Sequence, residues 1–526
     1  MILTGAYAPL TGFMSQRDLD GVLSHLRLAD GTFWARPVML AVSEESAQAL
    51  QPGSQVALRD AEGFMPAVLH VSEIWPVDAE KEAERATASG YPWSAPAGKP
   101  GQVYLAGRVE GVALPPRHDF LTLRLTPAET RAQFSKRGWR RVMGVMPSQP
   151  MHRMHYSFYL RAAIQREANL LIQVAGGADP VQDAAHFSRI HACQAVQPKF
   201  PAPTTLLTLS PLVDLPNGAQ NGAQSSEREV LHKAIIARNH GCTHLIVGGE
   251  TVSSGAQRRG NDWAGKDAAI QALAQERIGV ELIPFPRLLY VEDRDEFMSE
   301  DEVPEGSRVL RMTGEELHRR MMQGTRIPDW YSYPEVLAEL AKAYPPRNRQ
   351  GFTVFCTGLS GAGKSTIARA LTVKLLEMGG RRVTLLDGDV VRHHLSKELG
   401  FSKAHRDINI RRIGYVASEI TKHGGIAICA PIAPYRQTRR DVRAMIEPWG
   451  GFIEVHVSTS IEVCEGRDRK GLYAKARAGK IPEFTGVSDP YEIPENPELA
   501  IDTAQYSVEE AVARIVLKLE HEGYLR

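Results

Sequence analysis

Residues 352 to 380 read FTVFCTGLSGAGKSTIARALTVKLLEMGG, and the fold of the last third of the chain turns on this stretch. The apolar run FTVFCT predicts a strand, and Ile367, Leu371, Leu375 and Met378 recur at helical spacing. Between them lies Gly358-x4-Gly363-Lys364-Ser365. Glycine lets such a turn curl until several backbone N–H groups point inward, and the start of the following helix adds partial positive charge. A phosphate chain fits there, with Lys364 spanning the β- and γ-oxygens and Ser365 holding Mg²⁺. The candidate triphosphate-binding residues are Gly358, Ser360, Gly361, Ala362, Gly363, Lys364, Ser365 and Thr366. The motif by itself suits a GTPase, a motor ATPase or a small-molecule kinase.

The next strand narrows the choice. VTLLDGDVVR puts Asp387 and Asp389 at the carboxyl end of a strand, on the rim where open α/β sheets bind ligands. Two carboxylates there suit one metal-organising role and one role orienting or deprotonating an acceptor hydroxyl. The chain has no NKxD segment to read guanine, which disfavours a GTPase. In GFSKAHRDINIRRIGYVASEI, Ile413, Val416, Ala417 and Ile420 mark the buried stripe of a helix. Arg406 and Asn409, three apart at its start, share another face that can grip an anion; a solvated basic helix end is the alternative. IAICAPIAPYR repeats the strand pattern, and CEGRDRKGLYAKARAGKIPEFTG is basic and glycine-containing, as a lid over phosphates would be.

Working outward, 526 residues with 43% apolar content suffice for three or four compact units. Sixty-two Lys and Arg stand against 61 Asp and Glu, so no bulk charge draws the chain to nucleic acid or to an anionic membrane. No segment approaches the roughly 18 unbroken apolar residues of a spanning helix. Cys193, Cys242, Cys356, Cys429 and Cys464 are scattered singly, as in a reducing, cytoplasmic setting, and suggest neither a disulfide framework nor a zinc site. Up to about residue 115, short β-type runs such as PVMLAV, AVLHVSEIW and QVYLAGRV alternate with Gly, Pro and Asp clusters. From about 120, VMGVM, LLIQVAG and HLIVGG alternate with helical stretches, which predicts an α/β sheet. DLPNGAQNGAQSSE, 214 to 227, reads as a loop, residues 312 to 342 as a small helical module, and YPPRNRQG as a linker.

In order and spacing, DGDVVRHHLSKELGFS, RDINIRRIG, PIAPYR, RKGLYAKARAG and FTGVSDPYEIPENPEL resemble the adenylyl-sulfate (APS) kinases over essentially all of residues 350 to 526. The resemblance implies that the 3′-hydroxyl of APS attacks the γ-phosphoryl of MgATP to give PAPS. It implies that Arg467 joins the ATP site, that Arg392, Arg406, Asn409 and Lys470 hold APS, and that Phe401 and Phe484 sandwich its adenine. Asp389 is then the candidate for orienting the acceptor hydroxyl, and Asp387, with Ser365, stands near Mg²⁺. Two departures are visible: the usual DGDN reads DGDV, with Val390, and the usual ISPY reads Ile432-Ala433-Pro434-Tyr435. Each removes a polar side chain and leaves every phosphate-handling charge in place.

The first 340 residues resemble ATP sulfurylase through GAYAPLTGFMSQRD, PMHRMH, NHGCTHLIVG and IPDWYSYPEV, segments of its framework. The catalytic strips differ. Where that family reads QTRNPxHxxH, this chain keeps His152 and His155 but has Met146, Pro147, Ser148 and Gln149 before them, so the sulfate-binding Arg is replaced by Ser148. GRDHAG becomes Gly248-Gly249-Glu250-Thr251-Val252-Ser253, HPLVG becomes QVAGG with Gln173 at the His position, and the MRYAG-type turn falls in the DLPNGAQNGAQ segment. Losing one charge-assisted contact costs about 1.5–3 kcal/mol, and losing one donor to developing charge costs about 10²- to 10³-fold in rate. Arg140, Arg141 and Arg153 are the cations available as replacements.

The expected fold is therefore a multidomain α/β chain. It comprises a β-rich PUA-like module (1–115), an α/β nucleotidyltransferase-like, Rossmann-like domain (116–311), a small helical module with linker (312–345), and a P-loop kinase with a parallel sheet (346–526). Three readings of function stand side by side: a kinase on a sulfurylase-like scaffold or binding module, a bifunctional enzyme making PAPS from sulfate and two ATP, and an unrelated P-loop ATPase. For His152 and His155, residual nucleotide binding and a purely structural role weigh about equally. The resemblance further implies a homo-oligomer, built from kinase pairs and reaching a hexamer.

Overall fold

Phe352–Thr357 runs through the middle of a five-stranded sheet whose order is Val383–Asp387, Ile426–Ala430, Phe352–Thr357, Gly451–Val457 and Leu499–Ile501, paired parallel throughout. All six residues of the central strand are buried. One face carries Leu371 and Leu375 of helix Lys364–Met378 with Ile515 and Leu519 of helix Val508–His521. The other face carries Ile413 and Ala417 of helix Lys403–Lys422 with Val442 and Ile446 of helix Arg436–Ile446. A strand covered on both sides has no face left for polar alternation, which is why FTVFCT and IAICA read as unbroken apolar runs. With every strand pointing the same way, the glycine loop, Asp387 and the PIAPYR turn all leave the sheet on one rim.

This computed structural model describes residues 1–60, 62–88, 99, 101–147, 149–176, 184–210, 227–248, 263–468 and 470–525. Ser148, residues 249–253 and nearly all of the DLPNGAQNGAQSSE segment lie outside the described residues. The chain forms two units: Met1–Arg319 with Arg326–Ala343, and Arg320–Thr325 with Tyr344–Arg526, which holds the sheet above.

The first unit opens with an antiparallel sheet ordered Gly12–Phe13, Gln102–Gly111, Ala67–Pro76 and Gln55–Leu58, with Leu40–Ser43 also pairing to Gln102–Gly111. A five-stranded parallel sheet follows, ordered Glu281–Pro284, His244–Val247, Val142–Val145, Asn169–Ala175 and Thr205–Ser210. Its first strand in sequence lies mid-sheet and the winding reverses beside it, the place where doubly wound folds take their ligands. The segment bearing His152 and His155 leaves from that point. A small antiparallel sheet, Leu288–Val291 between Glu296–Ser299 and Val309–Leu310, completes the strands, and helix Pro334–Ala343 packs on helix Ala184–Val196.

One hydrophobic core joins the N-terminal segment to the parallel sheet, bringing Met14, Val22, Leu26 and Trp34 against Leu231, Ile235 and Leu245. Arg228 is fully buried in this region. It donates to the carbonyls of Val22 (2.8 Å), Leu23 (2.7 Å) and Ala35 (3.2 Å), the first two in the last turn of helix Gln16–His25. A cation at that end complements the helix dipole and satisfies carbonyls that have no partner within the helix. The five cysteines are buried and unpaired, and no described helix is long and apolar enough to cross a membrane.

Candidate active site

The glycine loop is shaped by contacts that only glycine permits. Gly358 has φ +150° and a Cβ there would stand 2.5 Å from the carbonyl oxygen of Val457; Gly363 has φ +107° and a Cβ would meet Thr503 at 3.0 Å. Lys364, first residue of the following helix, is buried and folds back to donate to the carbonyls of Gly358 (2.9 Å) and Leu359 (2.7 Å). Burial pushes its ammonium down to about 8, with Cys464, Cys356, Asp387 and Asp389 pulling the other way. Ser365 is half-buried and Thr366 exposed in the same first turn.

Asp387 ends its strand and caps helix Gly388–Leu395, its Oδ1 accepting from the Asp389 N–H at 3.0 Å. Its other oxygen, Oδ2, is buried without a hydrogen-bond partner. A buried carboxylate oxygen is costly to leave without a donor or cation beside it. A carboxylate oxygen and a hydroxyl are the hard oxygen donors that Mg²⁺ takes, so Asp387 and Ser365 fit by their chemistry the ion the motif implies. Asp389 is exposed and ion-paired with Lys470 from the lid segment. Arg467 donates to the Thr503 hydroxyl (2.6 Å) and carbonyl (3.0 Å) and reaches the Gly361 carbonyl at 3.4 Å.

The residues assigned to the second substrate form two neighbouring groups. Arg392 donates to the carbonyls of Leu399 (3.0 Å) and Gly400 (2.9 Å) and lies 4.5 Å from the Phe401 ring centroid. Burial and the charge of Arg406 lower its pKa below the ordinary arginine value, while Asp389 opposes them, so these three charges sense one another. Arg406 donates to the Thr485 hydroxyl (2.8 Å), to Asp489 (2.6 Å) and to the Glu483 carbonyl. Asn409 is buried and its Oδ1 has no partner. Phe401 is 63% exposed, while Phe484 packs edge-on to Tyr473 at 5.0 Å. The structure thus gathers Lys364, Asp387, Asp389, Lys470, Arg392 and Arg406, and leaves the two phenylalanines on separate partners.

Some participants were not singled out from the sequence. Thr503 follows the edge strand Leu499–Ile501 and bonds to Thr459 (2.8 Å) and to the Ala362 carbonyl (2.9 Å), bracing the glycine loop. Its position just past a strand's carboxyl end was the available signal. Tyr473 donates to the Ser360 carbonyl at 2.9 Å. Tyr435 and Asp489 lie inside quoted segments, but their role depends on a contact 54 residues apart, which spacing does not disclose. Ala433, the departure from ISPY, adopts φ +47° and its carbonyl accepts from buried Arg439 at 2.7 Å. Val390 is half exposed.

In the first unit, His152 is buried, its Nδ1 2.8 Å from the Ser332 hydroxyl and its ring 4.9 Å from Tyr331. The backbone N–H of His152 donates to Nδ1 of His155 at 3.0 Å. Burial pushes the imidazoles down to about 3 and about 4 respectively, so both are neutral. Arg140 and Arg141 precede strand Val142–Val145 and the histidines follow it, so those two arginines stand at the wrong end of the strand. Arg153 lies at the right end, its guanidinium 4.8 Å from the Tyr333 ring. Gln173 and Thr208 are register partners on adjacent strands, both buried with unpartnered polar atoms.

Comparison with known proteins matches residues 350–502 to the adenylylsulphate kinase family, 122–343 to ATP-sulfurylase and 1–114 to the PUA-like domain. A sulfate adenylyltransferase of Coccidioides immitis is 43% identical over 535 residues, covering 100% of this chain and 92% of the relative. One from Aspergillus oryzae is 43% identical over 534 residues, covering 100% and 91%. A solved structure described as a hexameric APS kinase from Thiobacillus denitrificans aligns with TM-score 0.82 and 50% identity, over 100% of this chain and 91% of that one. The expected architecture holds, and the chain belongs to the family in which a PUA-like module and an ATP sulfurylase domain are fused to an adenylylsulfate kinase.

Proposed function

We propose that the C-terminal unit transfers the γ-phosphoryl of MgATP to the 3′-hydroxyl of adenylyl sulfate, giving PAPS and ADP, and that the N-terminal body no longer makes adenylyl sulfate. The observation that carries the first part is the pair of buried polar atoms left without partners, Asp387 Oδ2 and Asn409 Oδ1, in residues selected for the two substrates. The glycine loop cradles the phosphates, and Lys364 leaves its own carbonyls to span the β- and γ-oxygens. Ser365 and Asp387 would hold Mg²⁺, which neutralises charge on the phosphates when bound. Arg392, Arg406, Asn409 and Lys470 hold adenylyl sulfate, with Phe401 and Phe484 at its base. Asp389 orients the acceptor hydroxyl and takes its proton as the oxygen–phosphorus bond forms and the β–γ bridge breaks.

For the N-terminal body, the supporting features are local. The positions before His152 carry no cation, and both histidines are neutral and committed to the start of their helix. Of the three arginines near them in sequence, only Arg153 lies at their end of the strand. Gln173 and Thr208 keep unpartnered buried polar atoms, which favours retained binding of a polar ligand over a fully collapsed site. The likeness to a hexameric relative and the five unpaired cysteines support a cytoplasmic homo-oligomer.

Paired assays on one sample test both parts: PAPS formation from adenylyl sulfate and MgATP, and ATP formation from adenylyl sulfate and pyrophosphate. PAPS with background ATP formation is the expected result. ATP formation well above background would overturn the second part and restore the bifunctional reading; absence of PAPS would overturn the first.

A further inference from the structure

We propose that Asp489 is a positioning residue for adenylyl sulfate, acting through Arg406; this rests on the reading that Arg406 grips that substrate. Arg406 projects from the first turn of helix Lys403–Lys422, whereas Asp489 lies 83 residues later in the chain. Their ion pair is 2.6 Å long, with side chains only 11% and 17% exposed. The same Asp489 oxygen accepts from the Tyr435 hydroxyl at 2.8 Å, so one carboxylate ties together a helix start and the PIAPYR turn. Charge-assisted bonds sheltered from water are the strong ones.

The guanidinium has five N–H groups, and the 483–489 loop engages three of them through Thr485, Asp489 and the Glu483 carbonyl. The remaining donors are thereby aimed rather than free to rotate. The loop is also a knot: the Phe484 carbonyl accepts from the N–H groups of Val487 (3.0 Å), Ser488 (3.0 Å) and Asp489 (3.1 Å), and Gly486 donates to the Asp489 carbonyl at 2.7 Å. Fixing Asp489 therefore fixes Phe484. Behind the loop is a cleft of about 650 Å³, reaching Leu359 and His456. Phe484 and Val487 of the loop pack against the hydrophobic core, and the Asp489 link adds a polar restraint to that packing. It couples the arginine that meets the anion to the aromatic wall at the base.

The test is steady-state kinetics on the full chain. Asp489→Asn should raise KM for adenylyl sulfate about tenfold or more, while kcat stays within about threefold and KM for ATP is unchanged. Tyr435→Phe should move the same KM less and in the same direction. A double-mutant cycle with Arg406→Lys should be non-additive, the double variant being no worse than Arg406→Lys alone. If Arg406→Lys leaves KM for adenylyl sulfate unchanged, the underlying reading of Arg406 fails. If Arg406→Lys raises it but Asp489→Asn does not, the Asp489 role fails alone. A fall in ATP affinity and kcat together in Asp489→Asn would mark a general structural role and overturn the proposal.

Discussion

Lys470 reaches across the site to Asp389, an ammonium from the lid segment paired with the carboxylate that follows strand Val383–Asp387. For Asp389 to receive the acceptor proton, Lys470 has to transfer its hold to the incoming anion. The pair is largely exposed, so removing either member leaves the fold intact. Asp389→Asn should lower kcat about 10²- to 10⁴-fold at an unchanged unfolding midpoint. Lys470→Ala should lower kcat/KM for adenylyl sulfate about tenfold or more, with ATP unaffected. A faster Lys470→Ala enzyme would instead make the pair an inhibitory latch.

Lys364 predicts a proton linkage. Its buried ammonium is pushed down to about 8, so a growing share is neutral above that pH in the free enzyme. A bound triphosphate favours the charged form and raises the pKa, so MgATP binding draws a proton in. Calorimetry in buffers of different ionisation enthalpy should show uptake approaching one proton per site near pH 9 and none at about pH 6.5. Lys364→Met should abolish the uptake; an unchanged value in that variant would assign it elsewhere.

Ala433 predicts a stability gain from a deletion. Its left-handed φ of +47° costs a residue with a Cβ about 1–2 kcal/mol, whereas glycine adopts it freely at an entropic cost of about 0.5–1 kcal/mol. Ala433→Gly should therefore stabilise the protein by about 0.5–1 kcal/mol, read as a small rise in the denaturation midpoint, with the Arg439 contact kept. Ala433→Val should destabilise. A midpoint that falls with glycine would show that the turn is held by its side chain.

The two histidines predict acid sensitivity of the first unit. Folded, they titrate at about 3 and about 4, well below the ordinary 6.5, so the unfolded chain binds more protons through that interval. Stability is then lost as pH falls from about 6.5 toward 4, by several kcal/mol at most. The double substitution His152→Gln with His155→Gln should flatten that slope in a pH series of unfolding midpoints. An equally steep slope would place the responsible groups elsewhere.

The C-terminal sheet was legible because its strands are buried on both faces and its loop must be glycine-rich; both demands leave marks at fixed spacing. Asp387 and Asp389 were equally legible, since a strand's carboxyl end is read directly from its pattern. The ties of Asp489 and Thr503 were not, because each is a contact between segments far apart in sequence. The histidine segment stood out in the sequence by the spacing of His152 and His155 after an apolar run, but burial of His152 against Ser332, 180 residues away, needed the fold. Positions 148 and 249–253, which carry much of the sequence case against sulfurylase activity, fall outside the described residues.

Arg228 gives the first module a different standing from an appended domain. Its guanidinium is enclosed by carbonyls of Val22, Leu23 and Ala35, so a chain begun after residue 115 would keep the cation and lose all three acceptors. An unmatched buried charge of that kind costs about 3–5 kcal/mol, a large part of a domain's entire stability. The β-rich module and the sulfurylase body thus stand as one folding unit, and the chain is not free to discard its first hundred residues whatever that body catalyses.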